Sequence, residues 1–244
     1  MSTAVGKTID GVMEQCSQAL ADADYFGAEQ LALKGLKKAY AVRDWERMAR
    51  ICLPLQEARR QKRHEALDSG VVRVVRALPS GKELVAGCYL LEPPLIGAEA
   101  RGVRALAEKK KIPVMVLTRE PTTSKGLWPI VAAGEDFSIR VQVTPPGGDP
   151  GPVVGFRNVS PPTVPPPGSW MILAEEKLGD AAIAKLRAGD PPAHRAADLL
   201  EFLEVIPEHE KLHQRLADEC RLAAGAPEPT RPRRRAVVVE STAF

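Results

Sequence analysis

The sequence predicts an α/β protein. It reads as a small mixed sheet with a central parallel strand–helix–strand unit, flanked by helical hairpins at both ends. Three observations carry this. Residues 87–120 read GCYLLEPPLIGAEARGVRALAEKKKIPVMVLTRE, with short apolar runs at 88–91 and 113–117 on either side of a stretch with helical spacing. Apolar side chains recur at three- and four-residue steps through about the first seventy residues, and again after residue 180. A Pro- and Gly-crowded stretch, 144–168, separates the strand-like part from the second helical part.

The central unit is the clearest. Each apolar run is too short for an independent helix and ends at polar or Pro punctuation, as a buried strand does. Between them Ala100, Val103, Leu106 and Ala107 fall near one helical face. Lys109, Lys110 and Lys111 place positive charge at the negative end of the helix dipole, and Pro113 stops the helix. A strand, a helix and a strand in so short a span form a right-handed crossover, which makes the strands parallel neighbours.

Composition narrows the class. The 244 residues allow a sizeable core, and 5% aromatic content leaves that core to Leu, Val, Ile and Ala. A formal net charge of +3 gives no strong field over the whole surface for nucleic acid or membrane. Cys16, Cys52, Cys88 and Cys220 lie far apart inside apolar patterns, so buried free thiols are expected. The start of the chain has no basic segment followed by an apolar run, and no apolar stretch nears the ~20 residues of a membrane helix. A cytoplasmic protein without a membrane anchor is the expectation.

Along the chain, residues 1–70 read as helical. Ile9, Val12, Met13, Cys16, Ala19 and Leu20 give one amphipathic helix. On the next, Ala28, Ala32, Gly35 and Ala39 make a row of small side chains beside a row of larger ones, Leu33, Leu36 and Tyr40. Small residues let a neighbouring helix come close. Asp44 reads as an N-cap for a third helix, whose apolar face is Trp45, Met48, Ala49, Cys52 and Leu53. Pro54 is expected to kink or break that helix near Arg50.

Leu33, Leu36, Tyr40, Ala49 and Leu53 resemble the tetratricopeptide repeat, a helical hairpin used mainly to bind other proteins. The likeness covers about thirty-four residues. Lys37, Gln56 and Gln61 depart from the family's preferred small, Ala and Pro positions. After Pro54 the helix turns polar and basic, with Arg59, Arg60, Lys62 and Arg63 expected on a solvated face.

Residues 71–143 read as the sheet unit. Segments 71–78 and 84–91 are expected to form a hairpin across the turn at Pro79, Ser80 and Gly81. Two further strands are expected at 127–132 and 137–143, the second with Ser138, Arg140 and Gln142 on a wet face. The whole is expected to be parallel in the middle and antiparallel at the edges. The stretch at 144–168 reads as a loop or linker with one possible edge strand at 153–158. Residues 169–225 read as helical. Asp180 and Asp190 are expected as N-caps, Gly189 and Gly225 as stops, and Pro207 as the start of the last helix. The basic segment 226–244 reads as a disordered tail in which Val237, Val238 and Val239 could pair with a sheet edge, and its Thr242, Ala243 and Phe244 fit a pattern that strand-adding domains accept.

Two motifs resemble enzyme or signalling families. His209, Glu210, Lys211, Leu212 and His213 spell HEKLH, similar to the HExxH helix of zinc metallopeptidases. That resemblance implies His209 and His213 as zinc ligands and Glu210 as general base. The order LLEPPLIG followed by IPVMVLTRE resembles the middle of a bacterial receiver domain. Glu92 stands at the position of its phosphorylated Asp, and Thr118 at that of its switch Thr. A Glu at that position implies a non-phosphorylated relative.

No complete catalytic set, phosphate loop or cofactor motif is present in the sequence. The expectation is a non-enzymatic interaction or scaffold protein with a protein partner and no cofactor. Its contact surface is expected on the N-terminal hairpin, with Tyr40 and Trp45 as apolar anchors and Arg47, Arg50, Arg59 and Arg63 as a charged rim. One alternative is a zinc-dependent hydrolase using His209, Glu210 and His213. Another is nucleic-acid binding through the Arg59–Arg63 run and the arginines from Arg231 to Arg235.

Overall fold

A computed structural model of the chain describes residues 4–148 and 164–233. These carry helices α1 (Ala4–Ala21), α2 (Tyr25–Ala41), α3 (Trp45–Asp68), α4 (Glu99–Lys110), α5 (Gly168–Ala184), α6 (Pro192–Val205) and α7 (Glu210–Gly225). The strands are β1 (Val72–Val75), β2 (Gly87–Leu91), β3 (Val114–Arg119), β4 (Trp128–Ala133) and β5 (Ser138–Val143). The fold class is the expected one: α/β, with helices before and after a mixed sheet. The chain forms two compact units. A helical unit takes both ends, Met1–Lys62 and Ile183–Phe244, and an α/β unit takes Arg63–Ala182.

In the α/β unit the sheet order is β1-β2-β3-β4-β5. β2 and β3 are parallel, with Cys88 opposite Met115 and Leu90 opposite Leu117. Every residue of both strands is buried, which is why their sequence shows unbroken apolar runs instead of alternation. α4 covers one face through Ala100, Val103 and Ala107, packed with Tyr89, Leu91, Val114 and Val116. Lys111 takes a left-handed conformation and closes the helix before Pro113. β4 and β5 add antiparallel, and Ser138, Arg140 and Gln142 do lie on the less buried face of β5. On the sheet face away from α4, Trp128 of β4 meets Trp170 of α5 edge-on, and the Trp170 indole N–H donates to the Thr144 carbonyl.

One sheet edge differs from expectation. β1 and β2 are parallel, not a hairpin, with Val72 opposite Cys88 and Val75 opposite Leu91. The β-branched valines at 71, 72, 74 and 75 mark a strand but carry no information on its direction. The strand after the turn begins only at Gly87, so residues 76–86 are free to cross over, close to the dozen a parallel connection needs. Leu84 of that connection is buried in the α4 core, and the Tyr89 hydroxyl both accepts from the Val85 N–H and donates to the Val85 carbonyl. Gly87 has φ of 145°, and a Cβ there would meet the Val71 carbonyl oxygen at 2.8 Å.

In the helical unit α1 packs on α2, and α6 on α7. The small row of α2 does admit its neighbours. Cys16 Sγ lies 3.3 Å from the Ala28 carbonyl, and Gly35 faces Ile51 and Val12. Asp44 caps α3 by accepting from the Arg47 N–H. Four helices differ from expectation at a boundary. α3 runs unbroken through Pro54, and Leu53 beside it is exposed, not part of the inner face. α5 passes through Asp180, because Trp170, Met171, Ala174, Leu178 and Ala182 form one buried row that continues the helix across it. The N-cap of α6 is Pro191, not Asp190, and that of α7 is His209, two residues past Pro207.

All four cysteines are buried and free. Among the described residues no helix is long and apolar enough to cross a membrane. Residues 149–163 lie outside the described residues, and with them the edge strand expected at 153–158. So do residues 234–244, with the expected Val237–Val239 strand and the Thr242–Phe244 pattern.

Candidate partner-binding cleft

The helical unit carries a cleft of about 500 Å³ whose walls come from α2, α3 and α6. The larger row of α2 supplies one wall. Leu33 and Tyr40, two turns apart on one face, are each about 40% exposed, and Leu36 between them is buried. Leu55 of α3 and Leu203 of α6 are buried at the bottom, and Ala197 and Leu200 form the opposite wall. The rim is charged. Exposed Lys37 lies on the α2 side and exposed Glu204 on the α6 side, with Glu201 and Arg233 beside it. Trp45 is buried and touches Tyr40 edge-on, with ring centroids 6.1 Å apart, so it supports the Tyr40 ring.

Beneath the cleft lies a buried polar cluster. Arg59, 8% exposed, donates to Glu29 at 2.7 Å, to the Leu203 carbonyl at 3.3 Å and to His213 Nε2 at 3.3 Å. Lys62 reaches the other Glu29 oxygen at 2.5 Å and sits 4.1 Å above the Phe26 ring. Burial alone would raise the Glu29 carboxyl. Arg59 and Lys62 together overcome that and hold it down at about 2. Burial, and then the neighbouring Arg59 charge, push His213 down to about 3, so its imidazole is neutral at ordinary pH. With Nε2 accepting from Arg59, Nδ1 carries the hydrogen and donates to the His209 carbonyl at 3.0 Å.

The charged rim expected from the sequence is therefore corrected. Of its arginines only Arg50 is exposed. Arg59 belongs to the cleft floor. Arg63 is 7% exposed in the α/β unit and pairs with Glu175 at 3.4 Å. Arg47 grips both Asp10 oxygens at 2.8 and 2.9 Å and Asp44 at 2.7 Å, which ties α1 to the start of α3. The basic run on α3 is a buried pairing face at Arg59 and Arg63, because their carboxylate partners lie 30 and 112 residues away in the chain. Of the expected surface, the cleft brings together Tyr40 and Arg59, with Trp45 behind.

The HEKLH segment builds a helix start. His209 is buried, and its Nδ1 accepts the Leu212 N–H at 3.2 Å as the cap of α7. Glu210 accepts from the Gln56 side chain at 3.2 Å. Both ring nitrogens of His213 are engaged, and a metal ion on its Nε2 would have to displace the Arg59 guanidinium. Glu92 and Thr118, the receiver-like positions, are both buried in the α/β unit. Glu92 pairs with Arg119 at 2.7 Å and with Arg76 at 3.2 Å, and the Arg119 guanidinium stacks 4.5 Å from the Trp128 ring.

No family model, curated protein or solved structure matches this chain.

The sequence reading missed the α6 wall and Arg233. Leu199, Leu200 and Leu203 already showed the helical face, but which leucine faces the core and which the cleft depends on where α2 passes. Leu199 is buried, whereas Leu200 lines the cleft.

Proposed function

We propose that this protein is a non-enzymatic interaction protein, and that a protein partner binds through the cleft of its helical unit. One observation carries the reading. Leu33 and Tyr40 stay exposed on a helix that buries Phe26 and Leu36, and they open onto a groove with an apolar floor and a charged rim. Tyrosine is enriched at interface hot spots, and a concave, mostly apolar floor is the kind of site in which such an anchor seats. The partial tetratricopeptide likeness of α2 and α3 supports the same reading, since that hairpin is a peptide-binding device. The buried Arg59 cluster fixes the floor by bonding α2, α3, α6 and α7 at one point. It is a positioning element.

The experiment is affinity capture followed by direct binding. Wild-type chain and a Leu33→Asp/Tyr40→Asp variant are compared, and each captured protein is purified and titrated. The expected result is a partner bound by the wild type and weakened at least tenfold by the variant, with helix content unchanged by circular dichroism. Equal affinity for both chains overturns the reading.

A further inference from the structure

Arg59 lines the cleft as well as bracing its floor. Its guanidinium donates through Nε to Glu29 and through Nη1 to the Leu203 carbonyl and to His213, and these three bonds fix its orientation. Among the described residues its Nη2 donates to no protein group. Its carboxylate partner is Glu29, and Lys62 takes the other oxygen of that same carboxylate. One anion is thus shared by two cations, and one of those cations faces the cleft.

The rest of the floor, Leu36, Leu55 and Leu203, is buried and apolar. The other charges stand at the rim. Lys37 and Glu204 are exposed. Glu201 is taken by Arg233 at 2.5 Å, which also pairs with Asp198 at 2.7 Å, and Glu228 pairs with Arg43 in the α2–α3 turn. Residues 226–233 are therefore an anchored segment instead of the free tail the sequence suggested.

The size of the cleft limits its occupant. About 500 Å³ falls in the range of small-molecule pockets, which combine mostly apolar walls with a few fixed polar groups. A protein interface covers roughly 800 Å² on each partner, so a protein would lie across the mouth at Leu33 and Tyr40 and leave the floor to something smaller. The charge limits it further. A cationic head at the floor would meet Arg59. A wholly apolar molecule would expel water from Nη2 and leave its hydrogens without an acceptor.

We infer that the cleft binds a small apolar molecule bearing one carboxylate, with its body against Leu36, Leu55 and Leu200 and its carboxylate accepting from Arg59 Nη2. A charge-assisted bond of this kind is stronger than a neutral one. It is felt most at a buried site, whereas the exposed Glu204 is screened by water. The site goes beyond the protein-partner reading and stands without it.

Dodecanoate tests this, kept below its micelle concentration, with dodecan-1-ol and dodecylammonium as uncharged and cationic controls of the same body. Calorimetric titration of the full chain should show saturable binding of dodecanoate with one equivalent, and both controls should bind at least tenfold more weakly. Arg59→Met with Glu29→Met removes the guanidinium without stranding a carboxylate. It should bring dodecanoate down to the affinity of dodecan-1-ol. Leu200→Asp, on the α6 wall, puts a negative charge in the cleft away from the buried cluster and serves if the double variant does not fold. It should weaken dodecanoate about tenfold or more. No saturable binding by the wild type, equal affinity for dodecan-1-ol, or unchanged affinity in the folded variant overturns the inference. A protein partner that needs Leu33 and Tyr40 in a chain that does not bind dodecanoate leaves the partner reading standing and removes only this one.

Discussion

Arg59 and His213 lie 154 positions apart in the chain, yet the Arg59 guanidinium donates to His213 Nε2 at 3.3 Å inside the helical unit. That bond requires a neutral imidazole, and the same guanidinium requires an ionised Glu29. The two titrations therefore act on stability in the same direction.

Acid should unfold the helical unit in two stages. His213 titrates at an ordinary 6.5 when unfolded and at about 3 when folded, so between these values the unfolded chain binds the extra proton. Glu29 titrates at 4.5 unfolded and about 2 folded, with the same sign. Stability should be level above pH 6.5, fall from there, and fall more steeply below 4.5, with each group contributing up to ~1.4 kcal/mol per pH unit. Urea unfolding from pH 8 to pH 3 checks this. His213→Gln should flatten the upper stage, and an unchanged profile in that variant would remove the assignment.

Breaking the cluster from the cationic side should be costly. Arg59→Met leaves Glu29 buried with Lys62 alone and removes the donor to the Leu203 carbonyl. A loss of roughly 3–5 kcal/mol is expected. In Arg59→Met with Glu29→Met much of that loss should return, because no uncompensated buried carboxylate remains. A double variant as unstable as the sum of the singles contradicts the pairing.

The same logic holds in the α/β unit at Glu92 and Arg119, whose side chains are almost wholly buried. Arg119→Met should cost about 3–5 kcal/mol by leaving buried Glu92 with only the half-exposed Arg76, whereas Glu92→Gln should cost less, since the amide oxygen still accepts from Arg119. Denaturant midpoints of the two variants give the comparison, and the reverse order would refute the account.

Two glycines of the α/β unit should respond in opposite senses. At Gly87, φ of 145° and the Val71 carbonyl 2.8 Å from a Cβ make alanine strained, with an expected loss of at least ~2 kcal/mol. Gly102 sits inside α4 with nothing within 4 Å of a Cβ, so Gly102→Ala should gain roughly 0.5–1 kcal/mol in melting experiments. Equal effects would mean that β2 does not start in the backbone conformation described.

Local pattern was sufficient for much of this fold. The unbroken apolar runs of β2 and β3, the helical spacing of α4 between them and the wet alternation of β5 each depend on neighbours within a few residues. Periodicity reports that range directly. Asp44 as a cap is of the same kind. The small row of α2 also announced a close helix contact correctly, since side-chain size sets how near two backbones can come.

Beyond the parallel pairing of β2 with β3, what the sequence left open was how distant segments meet. The direction of β1 against β2 depends on where residues 76–86 travel, and the valines are the same in either case. Arg59 and Arg63 look like solvated charges because Glu29 and Glu175 are far away in the chain. HEKLH has the spacing of a ligand pair, but the guanidinium that fills its acceptor arrives from another helix. Sequence determined which residues form helices and strands, because those choices are made over one or two turns. Only the tertiary structure decided which charges are buried and which leucines stay open at the cleft, because burial is set by whatever segment folds back against them.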